Sequence, residues 1–105
     1  MKKIQIDGIS EIEEIVAIFS VWSIPLFAYA QEKVKIVRQS NGKYRGIPMV
    51  KVKCKEEGKE PVWVQGQGTS VTEALENTIR LLFTAIIENE AETPEDFEWI
   101  PHYEF

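Results

Sequence analysis

The chain has 105 residues, 44% of them hydrophobic and 28% charged, a balance typical of one folded domain and not of a disordered segment. Its formal net charge is −5, and its single cysteine, Cys54, excludes an internal disulfide. The apolar runs are too short to span a bilayer, and the N-terminal residues turn acidic where a signal peptide needs an apolar core, so we expect one cytoplasmic domain over residues 1–105.

The first predicted helix follows Lys3–Ile6, which is either a short strand or an extended lead-in. Ser10 and Glu13 form a capping box, after which apolar residues recur at helical spacing. Pro25 ends this helix at or before Ile24, because the residue before a proline avoids the α region. The residues of the apolar stripe are Ile12, Ile15, Val16, Phe19 and Trp22.

Three strands are predicted next, as an antiparallel meander. Lys33–Gln39 alternates apolar and basic residues, as a half-buried strand does. Asn41-Gly42 is a strong hairpin signal, so a second strand should run from about Lys43 to Lys55. Glu57-Gly58 marks another turn, and Pro61–Gln65 should form the third strand.

The second strand carries a break and a two-sided pattern. Gly46 and Pro48 interrupt it and indicate a bulge or bend. Beyond them, small apolar residues alternate with lysines, so the two sets should lie on opposite faces. The apolar set is Val50, Val52 and Cys54, and the basic set is Lys51, Lys53 and Lys55.

A long amphipathic helix is predicted after a tight turn at Gly66 and Gly68. Ser70 and Glu73 form a second capping box, and the apolar stripe after them predicts a helix from about Val71 to Asn89. Three residues widen this stripe, which indicates burial on more than one side. They are Ile79, Phe83 and Ile87.

The C-terminal segment should hold a short helix and an aromatic tail. Pro94 fits the first turn of a helix starting near Thr93, and Pro101 limits its length. Four aromatic residues crowd the last nine positions: Phe97, Trp99, Tyr103 and Phe105. A disordered tail is rarely so apolar. The tail therefore either docks on its own domain or packs against a neighbouring subunit or partner.

These elements predict an α+β domain of order α-β-β-β-α, in which a three-stranded antiparallel meander carries both helices on one face. The other face then shows lysines that either keep an exposed surface soluble and discourage edge aggregation or form a basic contact surface. They are Lys33, Lys35, Lys51, Lys53 and Lys55. From Lys33 to Lys55 there are eight basic residues and no acid, whereas Leu81–Phe105 holds seven acids and no Lys or Arg. The acidic segment is therefore expected to meet the basic face, in the same chain or in a partner.

Two families share patterns with this chain. The order α-β-β-β-α resembles the double-stranded-RNA-binding domain, but Thr69–Thr78 holds Glu73 and Glu76 and no basic residue, so that family's RNA contact does not carry over. The segment from Gln65 to Phe83 resembles the G-x-T-x-x-E-A-x-x-N end of HicB-type antitoxin domains, at Gly68, Thr69, Glu73, Ala74, Leu75 and Asn77. That resemblance implies a β-β-β-α core and a toxin protein as partner. The strand-turn-helix pattern is also similar to small phage-encoded α/β sandwich proteins.

The sequence contains little that would predict a catalytic site or a metal site. Cys54 and His102 form a nucleophile–base pair only if the tail folds back beside the strand. One Cys and one His do not make a zinc site, and the acids after Glu88 lack the spacing of a calcium loop. We therefore expect neither an enzyme nor a cofactor.

The glycine turn allows two interpretations. Gly66, Gly68, Thr69 and Ser70 place backbone N–H groups at a helix start, where an anion such as phosphate can bind. The simpler alternative is a tight turn in which Ser70 caps the helix, because the Lys of a Walker loop is missing.

The resulting hypothesis is a small protein-binding module, antitoxin-like or phage-encoded, whose partner is another protein or a second copy of itself. Its contact residues would be the five lysines together with Trp99, Tyr103 and Phe105. The alternative is a nucleic-acid-binding module that uses the basic strands, with Tyr44 as a stacking candidate and Trp63 as either a second candidate or a core residue.

Overall fold

The structure, a computed structural model, describes residues 14–21 and 32–101 of the chain. Its elements are β1 (Glu14–Val21), β2 (Glu32–Arg38), β3 (Tyr44–Pro48), β4 (Val50–Val52), β5 (Gly66–Gly68), α1 (Val71–Glu88), a 3-10 helix (Pro94–Asp96) and β6 (Phe97–Trp99). The main sheet is antiparallel and four-stranded, in the order β1-β2-β3-β5. β4 and β6 pair antiparallel in a second, small sheet. The α+β class is confirmed.

The first predicted helix is wrong over the residues that the structure describes. Glu14–Val21 forms β1, which pairs with β2, and the pairing shifts register between Ile15 and Ala17. This bulge at Val16 puts Ile15 and Ile18 on the same face, opposite Val37 and Lys35. Apolar residues three positions apart, a spacing typical of a helix, thus share one face of a strand. Ser10, Glu13, Trp22, Ile24, Pro25 and Lys3–Ile6 lie outside the described residues.

The β2–β3 hairpin matches its prediction. Arg38 pairs with Tyr44, and the connection closes with a bond from the Gln39 amide to the Lys43 carbonyl at 2.8 Å. Gly42 adopts a φ of 82°, which glycine accepts without strain, and the Asn41 side chain accepts a bond from the Lys43 amide at 2.9 Å.

The predicted second strand is divided by the expected bend. β3 ends at Pro48 in the main sheet, and β4 begins at Val50 in the small sheet. The alternation is confirmed there: Val50 and Val52 are fully buried, whereas Lys53 and Lys55 are exposed.

The third strand lies later than predicted. Within Pro61–Gln65, Val62 forms an isolated bridge with Val52, and β5 is Gly66–Gly68, the segment predicted as a turn. The reason is the close approach of α1 to the sheet. A Cβ at Gly66 would collide with the backbone nitrogen and hydroxyl of Thr78, and one at Gly68 would lie 2.6 Å from the Ala74 nitrogen. Glycine is therefore needed in this strand.

The long helix is confirmed at its predicted place. The Ser70 hydroxyl accepts a bond from the Glu73 amide at 3.1 Å, so Ser70 is the N-cap. The buried face consists of Ala74, Thr78, Leu82, Ala85 and Ile86. Ile87 is 71% exposed, so the widening of the stripe is wrong at that residue. Since residues 14–21 form a strand, α1 is the one α-helix in the described ranges, and the two-helix arrangement is wrong.

The core lies between α1 and the two sheets. One cluster joins Val50 and Val52 to Leu82, Ala85, Ile86, Ala91 and Phe97. A second joins Val34 and Ile36 to Ala74. The predicted short helix is the 3-10 helix, but an unpredicted strand, β6, follows it and buries Phe97. The start of the aromatic tail thus docks on its own domain. No helix within the described ranges has the length and apolarity needed to cross a bilayer.

Candidate binding surface on the small sheet

The predicted lysines differ in their surroundings, and Lys55 lies at the C-terminal end of α1, where its amide donates to the Asn89 side chain at 3.2 Å. Lys33 and Lys35 belong to β2 in the main sheet and are half-buried. Their face also includes the buried Val37 and Ile47, so it is less polar there than the alternation indicates. The other three lysines lie on or just beyond β4.

Acidic residues from the end of the chain lie against these three lysines. Lys51 stands in register with Glu98 of β6, and the Lys53 amide donates to the Asp96 carbonyl at 2.9 Å. The Lys55 ammonium lies 2.8 Å from a Glu90 carboxylate oxygen. The predicted meeting of acidic and basic segments therefore occurs within one chain. Such exposed pairs add little stability, but they lower the attraction of this face for phosphate.

Trp63 is the most prominent side chain beside these lysines. It follows the Val62 bridge, is 37% exposed, and its indole Nε1 donates to the Pro48 carbonyl at 2.8 Å. The Lys51 ammonium nitrogen lies 5.3 Å from the centroid of the ring, within the range of a cation–π contact. Two interactions thus fix the orientation of an exposed indole.

We call the surface formed by Lys51, Lys53, Trp63 and Glu98 the Trp63 face. It combines one exposed aromatic ring with charges of both signs, carried by neighbouring strands. The alternation in the sequence indicates which residues share this face. It does not indicate that Trp63 is held in place, because that depends on the carbonyl of Pro48, fifteen residues earlier.

The aromatic tail is divided between core and surface. Trp99 pairs with Val50 yet remains 40% exposed, and its ring lies 6.1 Å from that of Phe97 in a tilted arrangement. Tyr103, Phe105 and His102 lie outside the described residues. Their predicted roles stay predictions.

The glycine turn uses its donors within the chain. The Gly66 amide donates to the Thr78 hydroxyl at 3.1 Å. The amide and hydroxyl of Thr69 both donate to the Glu73 carboxylate at 3.3 Å. A carboxylate of the chain itself therefore occupies the place of an external anion at this helix start, as in a capping box. This geometry favours the simpler interpretation, a capped turn.

Among the candidate reactive groups, Cys54 and Asp96 make local hydrogen bonds. The Cys54 thiol donates to the Glu60 carbonyl at 3.0 Å. In the described ranges, no group of three or more Cys, His, Asp or Glu side chains is arranged to hold a metal ion. Backbone bonds from Glu92 and Thr93 to its carboxylate lower the pKa of Asp96, which thereby caps the turn before β6.

The positions that carry the antitoxin resemblance all have local structural roles. Gly68 and Ala74 bring the strand and the helix together, Glu73 closes the turn, and the Asn77 side chain donates to the Gln67 carbonyl at 2.7 Å. Leu75 packs against the cluster of Val34, Ile36 and Ala74, so these positions together stabilise the strand-turn-helix geometry. No protein-family model, curated protein or solved structure gives a significant match to this chain.

Proposed function

We propose that the protein is a non-enzymatic module that binds another protein through the Trp63 face. The observation that carries this proposal is the exposed indole of Trp63, held by the Pro48 carbonyl and the Lys51 ammonium. Tryptophan is enriched among the residues that dominate binding energies at protein interfaces. A side chain fixed before binding loses little rotamer entropy on association, so more of its contact energy contributes to affinity.

The charges of the Trp63 face support a protein partner over a nucleic acid. A phosphate backbone needs a surface dominated by positive potential. Here Glu98 stands opposite Lys51, Glu90 pairs with Lys55, and the chain has a net charge of −5. A protein surface with charges of both signs complements this arrangement better.

A comparison of three immobilised proteins tests the proposal: wild type, Trp63→Ala and Ile87→Ala. Ile87 is an exposed apolar residue of α1 and serves as the matched control. Proteins captured from a lysate of the native host are quantified by mass spectrometry, and a candidate is then purified and its Kd measured. We expect wild type and Ile87→Ala to bind alike, and Trp63→Ala to lose about tenfold or more in affinity.

Two results would contradict the proposal. One is that no protein is enriched on wild type over Trp63→Ala. The other is that wild type binds fluorescent RNA or DNA with an affinity that falls steeply with salt and disappears when Lys51, Lys53 and Lys55 are replaced by Gln. That second result would favour the nucleic-acid alternative.

A further inference from the structure

The segment that carries Trp63 has the alternation of a strand along its whole length. Val62 and Val64 are half-buried against the core, whereas Trp63 and Gln65 are exposed. On one edge this segment pairs at its two ends. Val62 exchanges both backbone bonds with Val52, at 2.7 and 2.9 Å, and Gly66–Gly68 pairs with β3. Pro61–Gly68 is thus one extended stretch beside β3 and β4.

The other edge of this stretch is open at Trp63 and Gln65. In a strand, alternate residues direct their N–H and C=O groups to opposite edges. The backbone N–H and C=O groups of Val62 are directed toward β4. Those of Trp63 and Gln65 are therefore directed toward the opposite edge. No backbone hydrogen bond joins either residue to any part of the chain that the structure describes.

The open part of this edge is bounded on both sides. At Gln67 the carbonyl accepts a bond from the Asn77 side chain at 2.7 Å, so α1 covers the edge there. At the other end, Pro61 has no N–H to offer. The free groups are therefore limited to a stretch that a short extended peptide could cover.

Exposed apolar side chains flank the open edge on both faces of the sheet. Trp63 stands on the face opposite α1. On the helix side, Leu81 is 44% exposed and lies one turn after Asn77, on the same side of α1. Gly68 lies against Ala74 and Gly66 against Thr78, so α1 runs back along this strand. Leu81, about one turn further along α1, is therefore expected level with Gln65.

We infer that an extended segment of the partner adds to this edge as a further strand, pairing with the backbone of Trp63 and Gln65. Free strand edges recognise extended peptides through main-chain bonds, and side-chain contacts on the two faces supply the selectivity. The peptide would place one apolar residue against Trp63 and the next against Leu81. This inference rests on the proposed function, since it gives the form in which the protein partner binds.

The test uses peptides selected on the wild-type protein from a phage-displayed library of random dodecapeptides. Gln65→Pro removes the outward N–H, and Gln65→Ala keeps it while removing the same side chain. Gln65→Pro is compatible with the fold because it breaks no backbone hydrogen bond of the described residues and follows a segment that the pairings on either side hold extended. Far-UV circular dichroism and the melting temperature check that both variants fold. We expect Gln65→Ala to bind the selected peptide within about twofold of wild type and Gln65→Pro to lose about tenfold.

Amide hydrogen exchange on the wild-type protein gives a second readout that needs no variant. Adding the peptide should protect the amides of Trp63 and Gln65, which make no backbone hydrogen bond within residues 14–21 and 32–101. Unchanged exchange at both amides, equal peptide binding by Gln65→Pro and Gln65→Ala, or no peptide that distinguishes wild type from Trp63→Ala would each overturn strand addition. A host partner that requires Trp63 but binds both Gln65 variants equally would overturn strand addition while leaving the proposed function intact.

Discussion

The Gly66 amide donates to the Thr78 hydroxyl at 3.1 Å, and the same hydroxyl donates to the Ala74 carbonyl at 2.7 Å. Thr78 is fully buried, so both of its polar contacts are made where no water competes. The hydroxyl ties the middle of α1 to the first residue of β5. It thereby holds β5 and α1 at a fixed distance in the strand-turn-helix unit, which directly follows the segment that carries Trp63.

Thr78→Val should destabilise the protein by about 1–3 kcal/mol, because it leaves the Gly66 amide without this buried acceptor. Thr84→Val is the matched control. Its hydroxyl donates to the Arg80 carbonyl at 2.9 Å in the same helix but is exposed. We expect the control to change the free energy of unfolding by less than about 0.5 kcal/mol in urea titrations. Equal losses in the two variants would contradict a special role for the Gly66 bond.

Gly66→Ala tests the close contact between α1 and β5. The added methyl group meets backbone atoms of Thr78 and Asn77, which cannot rotate away, so we expect a loss of about 1–3 kcal/mol. Gln67→Ala changes the exposed neighbour in the same strand and should stay within about 0.5 kcal/mol of wild type. Thermal unfolding of both variants decides the question, and a Gly66→Ala protein as stable as wild type would refute the packing argument.

The parts of the fold predictable from sequence are those that depend on neighbouring residues. Ser70 and Glu73 cap α1 three residues apart, and Asn41-Gly42 turns a hairpin whose strands it joins. Val50 and Val52 alternate with lysines and are buried as expected. In each case the physical cause lies within a few residues of the signal.

The parts that were mispredicted depend on distant partners. Ile15 and Ile18 share a face because of a bulge against β2, which no local pattern distinguishes from a helix turn. Gly66 and Gly68 serve as a strand because α1 lies directly on them, although glycine pairs ordinarily indicate a turn. The sequence leaves open whether Trp63 is exposed or part of the core, and its exposure depends on the Pro48 carbonyl and Lys51, which lie twelve or more residues earlier in the chain.

Protonation of Asp96 should make the free energy of unfolding depend on pH. Bonds from the Glu92 and Thr93 amides favour its charged form and lower its pKa below the ordinary value of 3.8. A lowered pKa in the folded state contributes stability that is present above the unfolded pKa and lost as pH falls through the folded one. The stability difference between wild type and Asp96→Asn should therefore be constant from pH 7 to about pH 5 and shrink below about pH 4. Urea titrations at each pH measure it, and a difference that grows in acid would contradict the sign.

Glu90 holds a backbone conformation that ordinarily belongs to glycine. Its φ is 52°, and bonds from the Glu90 amide to Ile87 and from the Ala91 amide to Ile86 close the C-terminus of α1 as a Schellman motif. The carboxylate pairs with Lys55 on an exposed surface, where an ion pair contributes about 0–1 kcal/mol. Glu90→Gly and Glu90→Ala both remove this pair. The difference between their free energies of unfolding therefore measures the cost of a left-handed backbone at residue 90.

We expect Glu90→Gly to be more stable than Glu90→Ala by about 1 kcal/mol, because a Cβ in the left-handed region costs about that much. Chemical denaturation of the two proteins side by side measures the difference. Equal stability would mean that the helix end relaxes away from the left-handed conformation.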